Sequence, residues 1–282
     1  MNKQYVSLFA FILSVSIYLS SCHDKMNKNT GVLRFDSIRI NETAHLFNDT
    51  GKPACNIRIG FTYPVRSSDP ILKDSLNKHF ISICFGDKFS GEKPEDVINQ
   101  YTRNYIDEYR RDLEPMYLED EKDKNNDSSI RTWYSYYKNI ESHVQLYRND
   151  LLVYRVDYNE YTGGAHGMYT TMYVNMDLAL IRPLLLEDLF IAGYQEPLTE
   201  LIWNQLMADN RVTTREALED LGYGSTGEII PTENFYLDTK GITFHYNVYD
   251  ITPYSMGAVE VTLLFDAIRH LLGNNPILKD LC

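Results

Sequence analysis

The chain has 282 residues, with 39 acidic against 27 basic side chains, a formal net charge of −12, and 44% hydrophobic and 13% aromatic residues. That composition suits a folded chain rather than a disordered one. The negative charge makes nucleic acid and anionic lipid surfaces poor partners and favours a cationic one.

Residues 1–22 place Lys3 ahead of an apolar run from Tyr5 to Leu19, with small residues directly before Cys22, the layout of a cleaved secretory signal. At about fifteen residues the run is shorter than the roughly 20 that a membrane-spanning helix needs. Leu19-Ser20-Ser21-Cys22 resembles the bacterial lipobox, which implies acylation of Cys22 and anchoring to a bacterial membrane, the outer one, with the folded part extracytoplasmic. Removing residues 1–21 takes away one lysine and no acid, leaving 26 basic against 39 acidic side chains, a net charge of −13. Residues 22–53 are polar and read as lipidated cysteine and flexible tether. Two α+β domains, 54–178 and 179–282, then follow.

Alternation over 56–63 predicts a strand ended by Pro64. Asp69 and Pro70 are a cap and first-turn proline for a helix over 71–85. A second helix starts near Pro94, where Val97, Tyr101, Tyr105, Tyr109 and Leu113 recur every four residues as a core-facing stripe. The polar stretch 117–129 reads as a loop. Strands are predicted over 131–138, 142–148 and 151–161, the last two joined at Asn149-Asp150 as in a hairpin, and over 169–178. Beyond them come helices at 197–208 and 214–221, strands at 234–237, 242–249 and 259–264, and a closing helix at 265–272. The fold class expected is α+β, a mainly antiparallel sheet with helices packed on it, in two closely associated subdomains.

Cys55 and Cys84 could close a loop of about thirty residues by a disulfide, or remain buried free thiols. No C-x-x-C pair, H-E-x-x-H or G-x-S-x-G occurs, so zinc-ribbon, zinc-protease and serine-hydrolase signatures are missing. The segment 222–227 spells G-x-G-x-x-G, but a helix precedes it, the reverse of the dinucleotide-binding order, so it reads as a flexible surface loop.

The most distinctive segment is Tyr161-Thr162-Gly163-Gly164-Ala165-His166-Gly167 between two predicted strands. Three glycines in five positions imply positive φ or close approach of another chain. His166 is the one titratable side chain there, and no second His or acid lies at ligand spacing, so no metal or cofactor is expected. This segment, the strand through Asn175-Met176-Asp177-Leu178, the run Leu185-Leu186-Glu187-Asp188-Leu189-Phe190, and the stretches 241–246 and 250–257 together resemble the extracytoplasmic region of RsiV-type anti-sigma factors and PdaC-type deacetylases. The family is described as tandem domains of unknown function, DUF4163-like then DUF3298-like.

The resemblance implies binding rather than catalysis, of a lysozyme-like cationic protein or peptidoglycan. The chain carries no cytoplasmic sigma-binding segment and no deacetylase domain, so neither of those activities carries over. The implied contact surface lies around 163–167 and 250–257, with Tyr161, Gly163, Gly164, His166, Gly167 and Tyr254 as candidate ligand contacts. Two other readings stand beside it: a glycan-modifying hydrolase using His166 with Asp157 or Asp250, and an accessory subunit of an envelope complex.

Overall fold

The computed structural model describes residues 33–122 and 130–281; the signal, Cys22 and the first part of the tether lie outside them. Six strands form the larger sheet in sequence order: β1 (Arg34–His45), β2 (Ala54–Arg66), β3 (Tyr136–Arg148), β4 (Leu151–Tyr161), β5 (Met168–Asp177) and β6 (Arg182–Pro183). All neighbours are antiparallel except β2 and β3, which run parallel and are joined by a crossover through α1 (Pro70–Phe85) and α2 (Pro94–Asp120). The second half adds α4 (Leu186–Leu189), α5 (Gln195–Asn210), α6 (Arg215–Asp220), a three-stranded sheet β7 (Phe235–Leu237), β8 (Gly241–Tyr246) and β9 (Val259–Leu264), and the short helices α7 (Phe265–Ile268) and α8 (Pro276–Leu281). A one-turn helix, α3 (Ile130–Trp133), precedes β3. The fold is α+β, mainly antiparallel.

The helix starts follow the capping rules. The Asp69 carboxylate accepts from the Ile71 and Leu72 amides, 2.8 and 3.4 Å away, and Pro70 fills the first turn. In α2, Val97, Tyr109 and Leu113 of the expected stripe are buried, while Tyr101 and Tyr105 pack partly buried against the core.

The two halves share the central strand. Leu152, Tyr154 and Val156 of β4 point into a core with α1 and α2, whereas Leu151 and Val153 point into a second core with α5, β7, β8 and β9. With side chains alternating between faces, covering both sides buries four successive residues, 151–154.

Three sequence expectations change, and the alternative left open for Cys55 and Cys84 is decided. Residues 34–45, assigned to the tether, form β1. It is an edge strand in which only Ala44 is buried, and edge strands are polar because one side faces water. Residues 131–133 are helical, and the two strands expected over 131–148 are one, because the parallel pairing with β2 holds Tyr136–Glu141 extended. Helix α2 runs on to Asp120 despite Pro115, since Tyr117 remains core-facing against Tyr134. Cys55 and Cys84 are free, each buried in a different apolar cluster. Burial pushes the Cys55 thiol up to about 11 and the Cys84 thiol up to about 12, so both behave as inert core side chains.

Strand β5 is where the halves are sewn together. Its outer edge pairs with β6 only at Met176 and Asp177. Along the rest, asparagine side chains take the place of a strand. The Asn247 amide accepts from the Thr171 N–H (2.7 Å) and donates to the Thr171 carbonyl (3.1 Å), and Asn234 accepts from the Tyr173 N–H (2.9 Å). Asn175 projects the opposite way, donating to the Phe235 carbonyl (2.8 Å) and accepting from the Leu237 N–H (2.9 Å) of edge strand β7. An edge that would otherwise invite aggregation is thus closed internally.

Candidate aromatic contact surface

The loop 162–167 leaves β4 at Tyr161 and enters β5 at Met168, at the end of the sheet where β1 finishes and β2 and β3 begin. Gly163 and Gly164 both take positive φ, +87° and +101°, conformations in which other residues are strained. Gly167 is required by space instead: a Cβ there would sit 2.5 Å from the Tyr137 hydroxyl and 3.0 Å from the Glu160 carbonyl. Tyr161 stacks on Tyr137 and its hydroxyl donates to the Gly164 carbonyl at 2.8 Å, holding the loop folded.

His166 lies outward on that loop and meets the β8–β9 connection. Its ring stacks on Tyr254, centroids 3.9 Å apart, and Tyr254 donates its hydroxyl to the Gly167 carbonyl at 2.8 Å. Nδ1 of His166 lies 3.0 Å from the Gly167 carbonyl and Nε2 lies 3.3 Å from the Tyr249 hydroxyl. A carbonyl can only accept, so Nδ1 carries hydrogen, and in the neutral ring Nε2 then accepts from Tyr249. Tyr169 packs edge-on against Tyr254, 5.8 Å away, and Tyr249 lies 5.7 Å from it. The result is an aromatic platform in which Tyr249 is 44% exposed. Met168 on β5, Met256 beside Tyr254, and Trp133, whose carbonyl backs the Gly163 loop, are exposed as well.

The platform rests on two supports. The first is the 222–227 segment, which is no free loop: the Gly224 N–H donates to the Ile251 carbonyl at 2.7 Å, and a Cβ on Gly227 would collide with the Asp250 carbonyl. A Gly227→Ala variant should shift the 249–256 backbone and cost about 1–3 kcal/mol; amide chemical shifts of Tyr249 and Tyr254, together with a urea midpoint, measure both effects.

The second support is buried His245. Its Nδ1 lies 3.0 Å from Glu260 and its Nε2 lies 3.3 Å from the oxygen of the Asn247 amide that clamps Thr171. Asn247 in turn donates its backbone N–H to the Asp250 carboxylate at 2.7 Å. The hydrogen bond from His245 holds the Glu260 carboxyl below its usual range. A depressed carboxylate contributes stability that is present above the unfolded value, about 4.3, and is lost as pH falls through the folded one. Glu260→Gln should therefore flatten the stability profile on the acid side only, read from urea midpoints between about pH 3 and 7.

Tyr161, Gly163, Gly164, His166, Gly167 and Tyr254 are thus gathered in one place. The carboxylates considered with His166 are engaged elsewhere. Asp157 is paired with Arg155 (2.8 Å) and accepts from the Thr171 hydroxyl, and Asp250 holds the Asn247 amide. Both ring nitrogens of His166 are committed to a carbonyl and a tyrosine, so the geometry of a His–carboxylate acid–base pair is missing. Among the described residues no group of three or more His, Cys, Asp or Glu side chains could hold a metal ion, and no helix is long and apolar enough to cross a membrane. Tyr169, Tyr249 and the supporting role of 222–227 carry no local signal; the glycine spacing at 222–227 is visible in the sequence, its partner is not.

The family model described as deacetylase PdaC matches residues 54–169, and that of DUF3298, a protein of unknown function, matches 187–266. The crystal structure of a member of the DUF3298 family from Bacteroides fragilis is 64% identical with a TM-score of 0.86, covering 90% of this chain and 99% of that one. A DUF3298 family protein from Pseudomonas aeruginosa, 16% identical with a TM-score of 0.62 over 86% of this chain and 96% of its own, shares the fold. No curated protein matches.

Proposed function

Because the chain belongs to the DUF3298 family, a family without an assigned activity, we propose that it is a binding module of the cell envelope, anchored by lipid at Cys22, that captures a cationic lysozyme-like protein on the His166–Tyr254 platform. The observation that carries this reading is the convergence of two loops, 162–167 and 247–257, into a stacked and partly exposed aromatic surface fixed by glycines and backbone hydrogen bonds. Rigid aromatic side chains are the usual anchors of protein interfaces, and a preorganised surface loses little entropy on binding. The mature net charge of −13 favours encounter with a cationic partner.

The anchor geometry supports the same reading. Leu33 enters the sheet at the Arg34 end of β1, whereas the platform is at the His45 end. Twelve residues at about 3.3 Å each separate the two ends by roughly 40 Å. The described chain therefore begins at the end of the sheet opposite the platform, an arrangement that suits an anchor at Cys22 with the platform turned away from the lipid.

Titration calorimetry of the purified protein with hen-type lysozyme tests this directly. Binding that weakens as salt rises is the expected result. Absence of heat at concentrations up to about 1 mM, a floor of about −4 kcal/mol, overturns the lysozyme reading. The stacked rings also suit the apolar face of a sugar, so soluble peptidoglycan fragments form the second arm; binding there alone would reassign the platform to glycan.

A further inference from the structure

The platform's second support holds a hydrogen-bond arrangement that only a charged imidazole satisfies. A neutral ring has one N–H and one acceptor nitrogen, whereas the charged ring donates from both. His245 is 6% exposed, and each of its nitrogens faces an acceptor: Nδ1 the Glu260 carboxylate at 3.0 Å, and Nε2 the Asn247 side-chain oxygen at 3.3 Å. Neither partner can become a donor. The Glu260 carboxyl, held below its usual range, is ionised near neutrality. The Asn247 amide is fixed end for end, because its nitrogen donates to the Thr171 carbonyl at 3.1 Å while its oxygen accepts from the Thr171 N–H at 2.7 Å. Turned over, it would set donor against donor and acceptor against acceptor.

We infer that His245 is a proton-operated latch between β8, β9 and the edge of β5, closed when both ring nitrogens carry hydrogen and open when one hydrogen is lost. The proton that leaves is the one on Nε2, since the Nδ1 bond is the shorter and joins a full negative charge. Nε2 and the Asn247 oxygen then face each other as two acceptors with no hydrogen between them, and they repel.

The turn over 247–250 determines what moves. It is closed by the Asp250 N–H on the Asn247 carbonyl at 3.0 Å, and Tyr249 within it has φ +71°. A bulky residue in the left-handed region is strained, and such strain persists only while neighbouring bonds enforce it. The Asn247 clamp on Thr171 is one of those bonds. Opening the latch therefore frees Tyr249 to relax, and with it the face that Tyr249 shares with His166 and Tyr254.

The other charged and titratable groups around His245 come from four strands and the turn. Tyr173 of β5 meets the ring edge-on at 5.4 Å and directs its hydroxyl to Glu260 of β9 at 3.5 Å. Arg155 of β4 lies over the Tyr173 ring and is paired with Asp157, and Tyr236 of β7 packs on Tyr173. Asp250 accepts from the Asn247 N–H. Tyrosine, arginine and carboxyl side chains do not ordinarily change charge across about pH 5–8, the span that belongs to histidine. The Glu260 side chain is 45% exposed, which gives the proton a route to water.

The test is a titration of the free protein from about pH 5 to 8 by ¹⁵N NMR, reading the His245 ring nitrogens, the Thr171 N–H and the Asn247 side-chain amide. His245 should show two N–H groups at the acid end and one at the other, with the Thr171 and Asn247 signals moving at the same midpoint. Exchange of the Thr171 N–H, corrected for its intrinsic pH dependence, should quicken about fivefold above that midpoint, the effect of one net hydrogen bond. His245→Gln has no titrating ring there, so these responses should vanish while His166 still titrates beside Tyr254. If that variant does not fold, the midpoints in the unaltered protein decide alone. A His245 ring that keeps one charge state across the span, or Thr171 and Asn247 signals that do not share its midpoint, overturns the latch. None of these readings involves lysozyme, so the latch and the binding role of the platform fail separately.

Discussion

Asn175→Ala should destabilise the protein by about 3 kcal/mol, the largest loss expected from any single polar side chain here. Asn175 is 2% exposed and bonds with both its amide nitrogen and its oxygen to the backbone of β7. Alanine removes both partners at once and leaves the Phe235 carbonyl and the Leu237 N–H buried with nothing to bond, about 1–3 kcal/mol apiece. Asn234→Ala removes a comparable pair, to the Tyr173 N–H and the Thr171 carbonyl, in a less buried setting, so its cost should be smaller. Urea denaturation followed by tryptophan fluorescence measures both. A change below about 0.5 kcal/mol for Asn175→Ala, the range of ordinary surface substitutions, would mean that apolar contacts alone join the halves.

The asparagine seam also marks where sequence reading reaches its limit. Elements whose causes are local were legible: Asp69 and Pro70 start α1, the four-residue stripe from Val97 to Leu113 orients α2, and Asn149-Asp150 turns β3 into β4. Strand β1 was hidden because its polarity comes from its place at the edge of a sheet, and a polar edge looks like tether. The start of β3 was misjudged because its extension depends on parallel pairing with β2, about eighty residues earlier. Nothing local announces that Asn175, Asn234 and Asn247 replace a missing strand.

For the candidate surface, glycine spacing points to 163–167 and family likeness to 250–257, and the two lie against each other. The segment 222–227 is a surface loop as the sequence suggests, but its glycines do not serve flexibility. Its glycines are needed where the chain passes close to the Asp250 and Ile251 carbonyls, a requirement that comes from another segment.

Tyr254→Ala should weaken lysozyme binding by about 2 kcal/mol, roughly thirtyfold, if the platform is the contact surface. Tyr254 is the ring on which the others converge: His166 stacks on it at 3.9 Å, Tyr169 and Tyr249 pack beside it, and its hydroxyl ties the two loops through the Gly167 carbonyl. Truncation to alanine removes the stack and that hydrogen bond together. Tyr254→Phe keeps the stack and loses only the hydroxyl, so it should retain most of the affinity, costing about 1 kcal/mol. His166→Ala removes one ring from the edge of the cluster and should fall between them. This graded order separates a surface that binds through aromatic area from one that depends on His166 as an acid or base. In the second case His166→Ala would be the most damaging of the three, and Tyr254→Ala would matter only through displacement of the imidazole. Calorimetry on the three variants, each checked for an unchanged urea midpoint, decides between them. Equal affinity in all three would move the partner off this platform, while the aromatic cluster would keep its structural role of locking the β4–β5 loop to the β8–β9 connection.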